Sequence, residues 1–229
     1  MPVGKLQSAL GRIFYQRCFY LFVSIVALIA VAPYLIDTER GRVILPMMQM
    51  LMLVAAIASL GKTAFPFILG LLLGIPALAF NFVALVWRED VVTNFERATF
   101  LYLAFYLVVI VYLLEYVFNP EVMTSDKLFG AAACYLMLGI AWTDAYVLAQ
   151  YFDPQAFSTR PGAPPRSYWD LLYMSFGSLT SNGTGDVIPN GNKVRSMVIL
   201  EQITGALFAA TLIARLAGIY PPKQEAAAE

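Results

Sequence analysis

The chain has 229 residues, of which 60% are hydrophobic and 13% charged, with a formal net charge of zero, no histidine and a mean hydropathy of +0.70. A soluble domain carries about 25% charged residues, so the composition favours a membrane protein over one that must cover its surface with polar groups. It offers no clustered basic surface for nucleic acid, and without histidine it lacks the commonest general base and metal ligand.

Six apolar stretches follow one another, at residues 18–36, 43–60, 64–87, 98–118, 128–152 and 194–219. Each has about the 18–25 residues with which an α-helix crosses the hydrocarbon core. Backbone groups in lipid must be satisfied within the segment, and continuous runs rather than alternating ten-residue segments predict helices, not a barrel. Lys5, Arg12 and Arg17 precede the first stretch, and Ala30-Val31-Ala32 has the small-x-small form of a leader cleavage site. The run continues past that site through Pro33 to Ile36, so a retained helix is expected.

Asp37, Glu39, Arg40 and Arg42 separate the first two helices, and Gly61-Lys62-Thr63 links the second to the third. Arg88, Glu89, Asp90, Glu96 and Arg97 separate the third from the fourth, and residues 119–127 the fourth from the fifth. Tyr34, Trp87, Tyr116 and Tyr151 stand near the ends, where interfacial aromatics are expected. Pro66 and Pro76 are expected to kink the third helix. The fourth has only Arg97 at its edge and Glu115 near its far end, which is not the basic repeat of a voltage sensor. Cys18 and Cys134 both sit in apolar runs and are expected to pack. Asp144 and Glu201 are ionisable groups inside spans, and such groups face the protein interior.

The segment between the fifth and sixth stretches differs in kind. Residues 153–166, rich in Pro, Ser and Gly, read as a surface loop. Ser167 followed three residues later by Asp170 has the form of a capping box. The apolar run 171–179 that follows is too short to span a membrane, and it ends in the polar, glycine-bearing stretch 180–186. A short helix that enters and turns back is tolerated at membrane depth only where protein buries it or water lines it. The pattern predicts an all-α membrane protein with six transmembrane helices and a re-entrant pore helix between the fifth and sixth.

Thr180-Ser181-Asn182-Gly183-Thr184-Gly185-Asp186 resembles the potassium-channel filter, usually written T-T-V-G-Y-G-D, with Asn182 in place of the valine and Thr184 in place of the aromatic residue. Residues 170–176 look like the pore helix of bacterial two-transmembrane pore domains, 195–218 like their inner helix, and 123–128 like the start of their outer helix. The resemblance, to a bacterial potassium-channel-like family of pore-loop ion channels, covers roughly residues 123–220. It implies a four-helix membrane domain at 1–122, a pore domain at 123–220 and a short cytoplasmic tail at 221–229. By that resemblance four loops make one filter, so the partners are membrane lipid and further copies of the chain as a homotetramer, with no nucleic acid. The permeant ion is then potassium, with sodium as the alternative, and no cofactor or other metal is needed.

The residue types suit that chemistry. Backbone carbonyls can replace an ion's water shell when they point the same way, which requires unusual backbone angles, and glycine reaches positive φ without steric cost, as at Gly183 and Gly185. Ser181 can add a hydroxyl ligand and Asp186 negative charge at the outer mouth. The C-terminal end of the short helix favours cations. A buried Asn182 amide needs partners, with Ser178 and Thr184 as candidates. By analogy Tyr173 holds Asp186, Ser178 and Glu201 support the filter, and Gly205 is either a gating hinge or a site of close helix packing. Arg215 is expected to snorkel to the interface. If the filter faces outward, both termini are cytoplasmic, in a bacterial inner membrane. Three rivals remain: a weakly selective or non-selective cation channel, a non-conducting pore-like subunit, and a transporter, which would show a second broken-helix copy. An enzyme is not expected.

Overall fold

The computed structural model describes residues 17–35, 38, 40–60, 64–86, 91–119, 123–159, 167–183 and 185–218. Of the residues singled out above, Lys5, Arg12, Asp37, Glu39, 61–63, 87–90, Thr184 and the tail 221–229 lie outside the described residues. Among those described, the chain forms helices α1 (Arg17–Leu35), α2 (Gly41–Ser59), α3 (Ala64–Val86), α4 (Val91–Phe118) and α5 (Ser125–Phe152). Strand β1 (Phe157–Thr159), helix α6 (Tyr168–Leu179), strand β2 (Val187–Pro189) and helix α7 (Gly191–Gly218) follow.

Four stretches, Arg17–Leu35, Ala98–Phe118, Ser125–Phe152 and Gly191–Ala217, are long and apolar enough to cross a membrane. Val43–Ser59 and Phe67–Phe80 are shorter apolar helical stretches. The chain is a multi-pass helical membrane protein.

Three local expectations are revised. α4 begins at Val91, so Glu96 and Arg97 belong to its first turns rather than to a linker. Residues 91–97 contain neither Gly nor Pro, so nothing in them breaks a helix. Pro66 is the third residue of α3, where the missing N–H has no intrahelical acceptor to lose, and only Pro76 stands in the helix interior. The segment 153–166 is not all loop, because β1 pairs antiparallel with β2 in the register Phe157↔Pro189, Ser158↔Ile188 and Thr159↔Val187. Asn190 fastens the ribbon. Its N–H donates to Ala156 O (2.7 Å), its Nδ2 to Gln155 O (3.0 Å), and its Oδ1 accepts from Ser158 Oγ (3.2 Å).

One continuous core joins the first helices to the last three, through Leu21 of α1, Leu53 of α2, Phe105 and Leu113 of α4, Met137 of α5, Leu172 of α6 and Phe208 of α7. α5 is the most buried of the long spans and packs against α1, α4, α6 and α7. Its small residues Gly130, Ala131 and Ala133 are buried and allow close approach. A second, smaller core of Tyr146, Phe157, Leu171, Met174, Val187 and Val194 lies under the ribbon. Both cysteines are buried free thiols.

Polar contacts fasten the other end. Asp126 accepts from the Cys18 N–H (3.0 Å) and from the Tyr116 hydroxyl (3.0 Å), tying α1 and α4 to the start of α5. The Cys18 N–H lies in the first turn of α1 and has no intrahelical acceptor, so the carboxylate serves as its cap. Arg215 near the end of α7, expected to reach for the interface, donates through Nη2 to the Asn119 carbonyl just after α4.

Candidate functional site

The site is built on α6. Ser167 is its N-cap: Ser167 Oγ accepts from Asp170 N (3.3 Å), while Asp170 Oδ2 accepts from Ser167 N (2.7 Å), a complete capping box. Leu171, Leu172, Ser175, Ser178 and Leu179 are buried. Tyr173 lies on the exposed face of α6.

The other end of α6 closes in a Schellman turn. Asn182 N donates to Gly177 O (2.9 Å) and Ser181 N to Ser178 O (2.9 Å), with Ser181 at φ +59° in the left-handed position normally held by glycine. Gly183 N also donates to Gly177 O (3.0 Å), and Thr180 donates to Phe176 O through both N (3.1 Å) and Oγ1 (2.7 Å). The remaining carbonyl, Leu179 O, accepts from the Tyr135 hydroxyl of α5 (3.2 Å). The last four carbonyls of α6 thus all find donors within one chain, and the helix end is held in place rather than frayed.

Beyond the turn, φ is positive at Ser181 (+59°), Gly183 (+66°) and Gly185 (+69°), and not at Asn182. Residues 180–183, 185 and 186 are all exposed in the single chain. A Cβ placed on Gly183 or Gly185 would meet no heavy atom within 4 Å, so the glycines answer to backbone conformation and not to crowding. Asn182 is exposed, so the desolvation expected of a buried amide arises only where something else covers it. Thr184 lies outside the described residues.

Against α6 stands Glu201 of α7, fully buried at 0% exposure. Its Oε2 lies 2.5 Å from the Tyr146 hydroxyl of α5 and its Oε1 2.5 Å from Ser175 Oγ of α6. Ser175 Oγ is also 2.8 Å from the Gly139 carbonyl. A serine has one proton to donate and two acceptors here. The hydrogen count closes when the glutamate is a neutral acid that donates to Ser175, which in turn donates to Gly139. One carboxyl group thereby joins α5, α6 and α7. Four residues further along α7, a Cβ on Gly205 would stand 2.0 Å from Leu179 O, so this position admits no side chain unless α6 or α7 moves.

Of the residues read from the sequence, the structure brings Glu201 against α6 and Gly205 against its end, and joins the Ser178 carbonyl to Ser181. Tyr135, Tyr146 and Ser175 were not singled out, although a buried glutamate requires hydroxyl partners on the adjoining helices. The left-handed Ser181 was missed because no glycine marks it.

Fold and site define a multi-pass helical membrane protein with a glycine-bearing segment, held by a doubly capped short helix, between its last two long spans. Residues 134–220 match the family model described as an ion channel, a match that supports a pore-loop ion channel family for this part of the chain. Comparison with curated proteins and with solved structures returned no match.

Proposed function

We propose that four copies of this chain form a potassium-channel-like cation pore, in which residues 180–186 of each copy supply backbone carbonyls to a shared filter. The observation that carries this reading is the alternation of positive φ at Ser181, Gly183 and Gly185, directly after a rigidly terminated short helix and between α5 and α7. Such alternation turns successive carbonyls toward one side, the arrangement an ion-coordinating filter needs. In this reading α1–α5 and α7 are the six spans and α6 is the re-entrant pore helix, its partly negative C-terminal end favouring cations. Asp186 and Tyr173 lie on surfaces that neighbouring copies would cover. Both termini face the cytoplasm of a bacterial cell, the protein residing in the inner membrane. The permeant ion is a monovalent cation, potassium in preference to sodium.

Asn182 supports a second reading of weaker discrimination. It puts a small exposed amide where the family has an apolar side chain that packs behind the filter, leaving the ring of carbonyls less tightly braced.

The test is reconstitution in planar bilayers under a potassium chloride gradient. A cation pore reverses near the potassium equilibrium potential, and Gly183→Ala, which strains a left-handed position by about 1–2 kcal/mol, abolishes or sharply reduces the current while the protein still assembles. Reversal near the chloride potential, or full current from Gly183→Ala, overturns the proposal.

A further inference from the structure

Leu179 is the last residue of α6, and its carbonyl stands where α5 and α7 both reach the end of that helix. From α5, Tyr135 donates its hydroxyl to Leu179 O (3.2 Å). From α7, Gly205 comes so close that a Cβ there would lie 2.0 Å from the same oxygen. Leu179 is buried, and the amides of Thr180, Ser181, Asn182 and Gly183 donate instead to Phe176, Ser178 and Gly177. Tyr135 is therefore the donor on which this carbonyl depends among the described residues. Phenylalanine at 135 would fill the same space and leave a buried acceptor unmatched, which is the costly kind of loss.

The tyrosine ring is itself held. It packs on Phe208 of α7, with centroids 5.5 Å apart at 38°. Phe208, also buried, meets Phe118 at the end of α4 edge to face, with centroids 6.4 Å apart at 82°. Phe208 comes three residues after Gly205, so both lie on one face of α7. The same face meets α4 again about two turns further on, where Arg215 donates to the carbonyl of Asn119, the residue after Phe118. α6 itself packs mainly on α5 and α7, so these rings form a path from the end of α4 to the end of α6. In a dense interior a ring moves as a body and carries its neighbours with it.

We propose that Tyr135 is a positioning residue for the segment that follows α6. Phe208 and Phe118 aim its ring, so that the packing of α4 against α7 fixes where residues 180–183 begin. The proposal takes residues 180–186 as the ion path, and in that respect it rests on the channel reading.

The test uses the full chain in lipid nanodiscs, with hydrogen exchange read at amides 180–183. Tyr135→Phe keeps the ring and removes one hydrogen bond. It speeds exchange there by about three- to tenfold, while the ribbon amides 157–159 and 187–189 exchange as in the wild type. Phe118→Leu, at the far end of the path, speeds exchange at 180–183 in the same direction. Joined to Tyr135→Phe it adds little, because both act through one hydroxyl. Phe208→Leu repeats this comparison from α7 should Phe118→Leu fold poorly. In bilayers Tyr135→Phe shortens the openings of single channels. Exchange at 180–183 unchanged by Tyr135→Phe, exchange sped alike in the ribbon, effects that add in full, or a conducting variant with wild-type open times each overturn the proposal. A wild-type protein that carries no current counts against the channel reading, and the exchange measurement still decides whether Tyr135 holds the turn.

Discussion

Glu201 is held by hydrogen bonds that an amide can reproduce. In Glu201→Gln the amide nitrogen can donate to Ser175, and the carbonyl accepts from Tyr146, so the variant is expected to lie within about 1 kcal/mol of the wild type. Glu201→Leu strands the Tyr146 hydroxyl, while Ser175 keeps its bond to the Gly139 carbonyl, and is expected to cost about 1–3 kcal/mol, read as thermal unfolding in detergent, because a buried polar group loses its partner. Equal effects from both variants would mean that Glu201 only fills space. Gly205→Ala pushes a methyl against the Leu179 carbonyl, and overpacking of this kind costs about 1–3 kcal/mol. If the glycine served as a hinge without a packing role, the alanine variant would keep wild-type stability and change only gating. Ser181→Gly removes left-handed strain of about 1 kcal/mol and is expected to slow exchange at Asn182 and Gly183. At this scale the sequence announced the charged group Glu201 and the glycines 183, 185 and 205, because each breaks its surroundings. It did not announce Tyr135, Tyr146 or Ser175, whose types are ordinary in an apolar helix and whose role depends on which helix lies opposite.

Among the elements, α6 was the most legible. A capping pair, an apolar run too short to span and a polar glycine-bearing end each come from local chemistry, and the helix lies where that chemistry puts it. The ribbon of β1 and β2 was not legible. Strands of three residues carry no readable alternation, and the two partners are separated by the whole of α6. The start of α4 is hidden for a different reason: the charged residues Glu96 and Arg97 look like a helix boundary, although Glu and Arg are good helix formers. The ribbon closes the loops on either side of α6 above the second core, so its stability bears on how the chain leaves residues 185 and 186. Asn190→Ala removes two exposed side-chain bonds and is expected to cost about 1–2 kcal/mol. Hydrogen exchange at 157–159 and 187–189 reads this directly, and unchanged exchange there would mean that pairing alone holds the ribbon.

Across the whole molecule, coverage is uneven. α5 is enclosed by other helices, whereas α7, equally able to span, is the least covered, with Ile199, Leu200, Ile203, Leu207 and Ile213 exposed. Residues 180–183, 185 and 186, just before α7, are exposed as well. An uncovered apolar helix beside an uncovered polar loop suits assembly around a central axis, where neighbouring α7 helices meet and the loops converge. Mass measurement of the protein in native-like lipid particles is expected to give four copies, and a stable monomer would leave the segment without a pore to line. Sequence alone suggested this number only through resemblance, because one chain supplies one loop. The most direct measurement is the reversal potential of the reconstituted protein with potassium on one side and sodium on the other. The proposed filter, with carbonyls turned inward by Ser181, Gly183 and Gly185, predicts a reversal close to the potassium limit. A robust current that reverses near zero would contradict potassium preference and attribute its loss to Asn182 and Thr184.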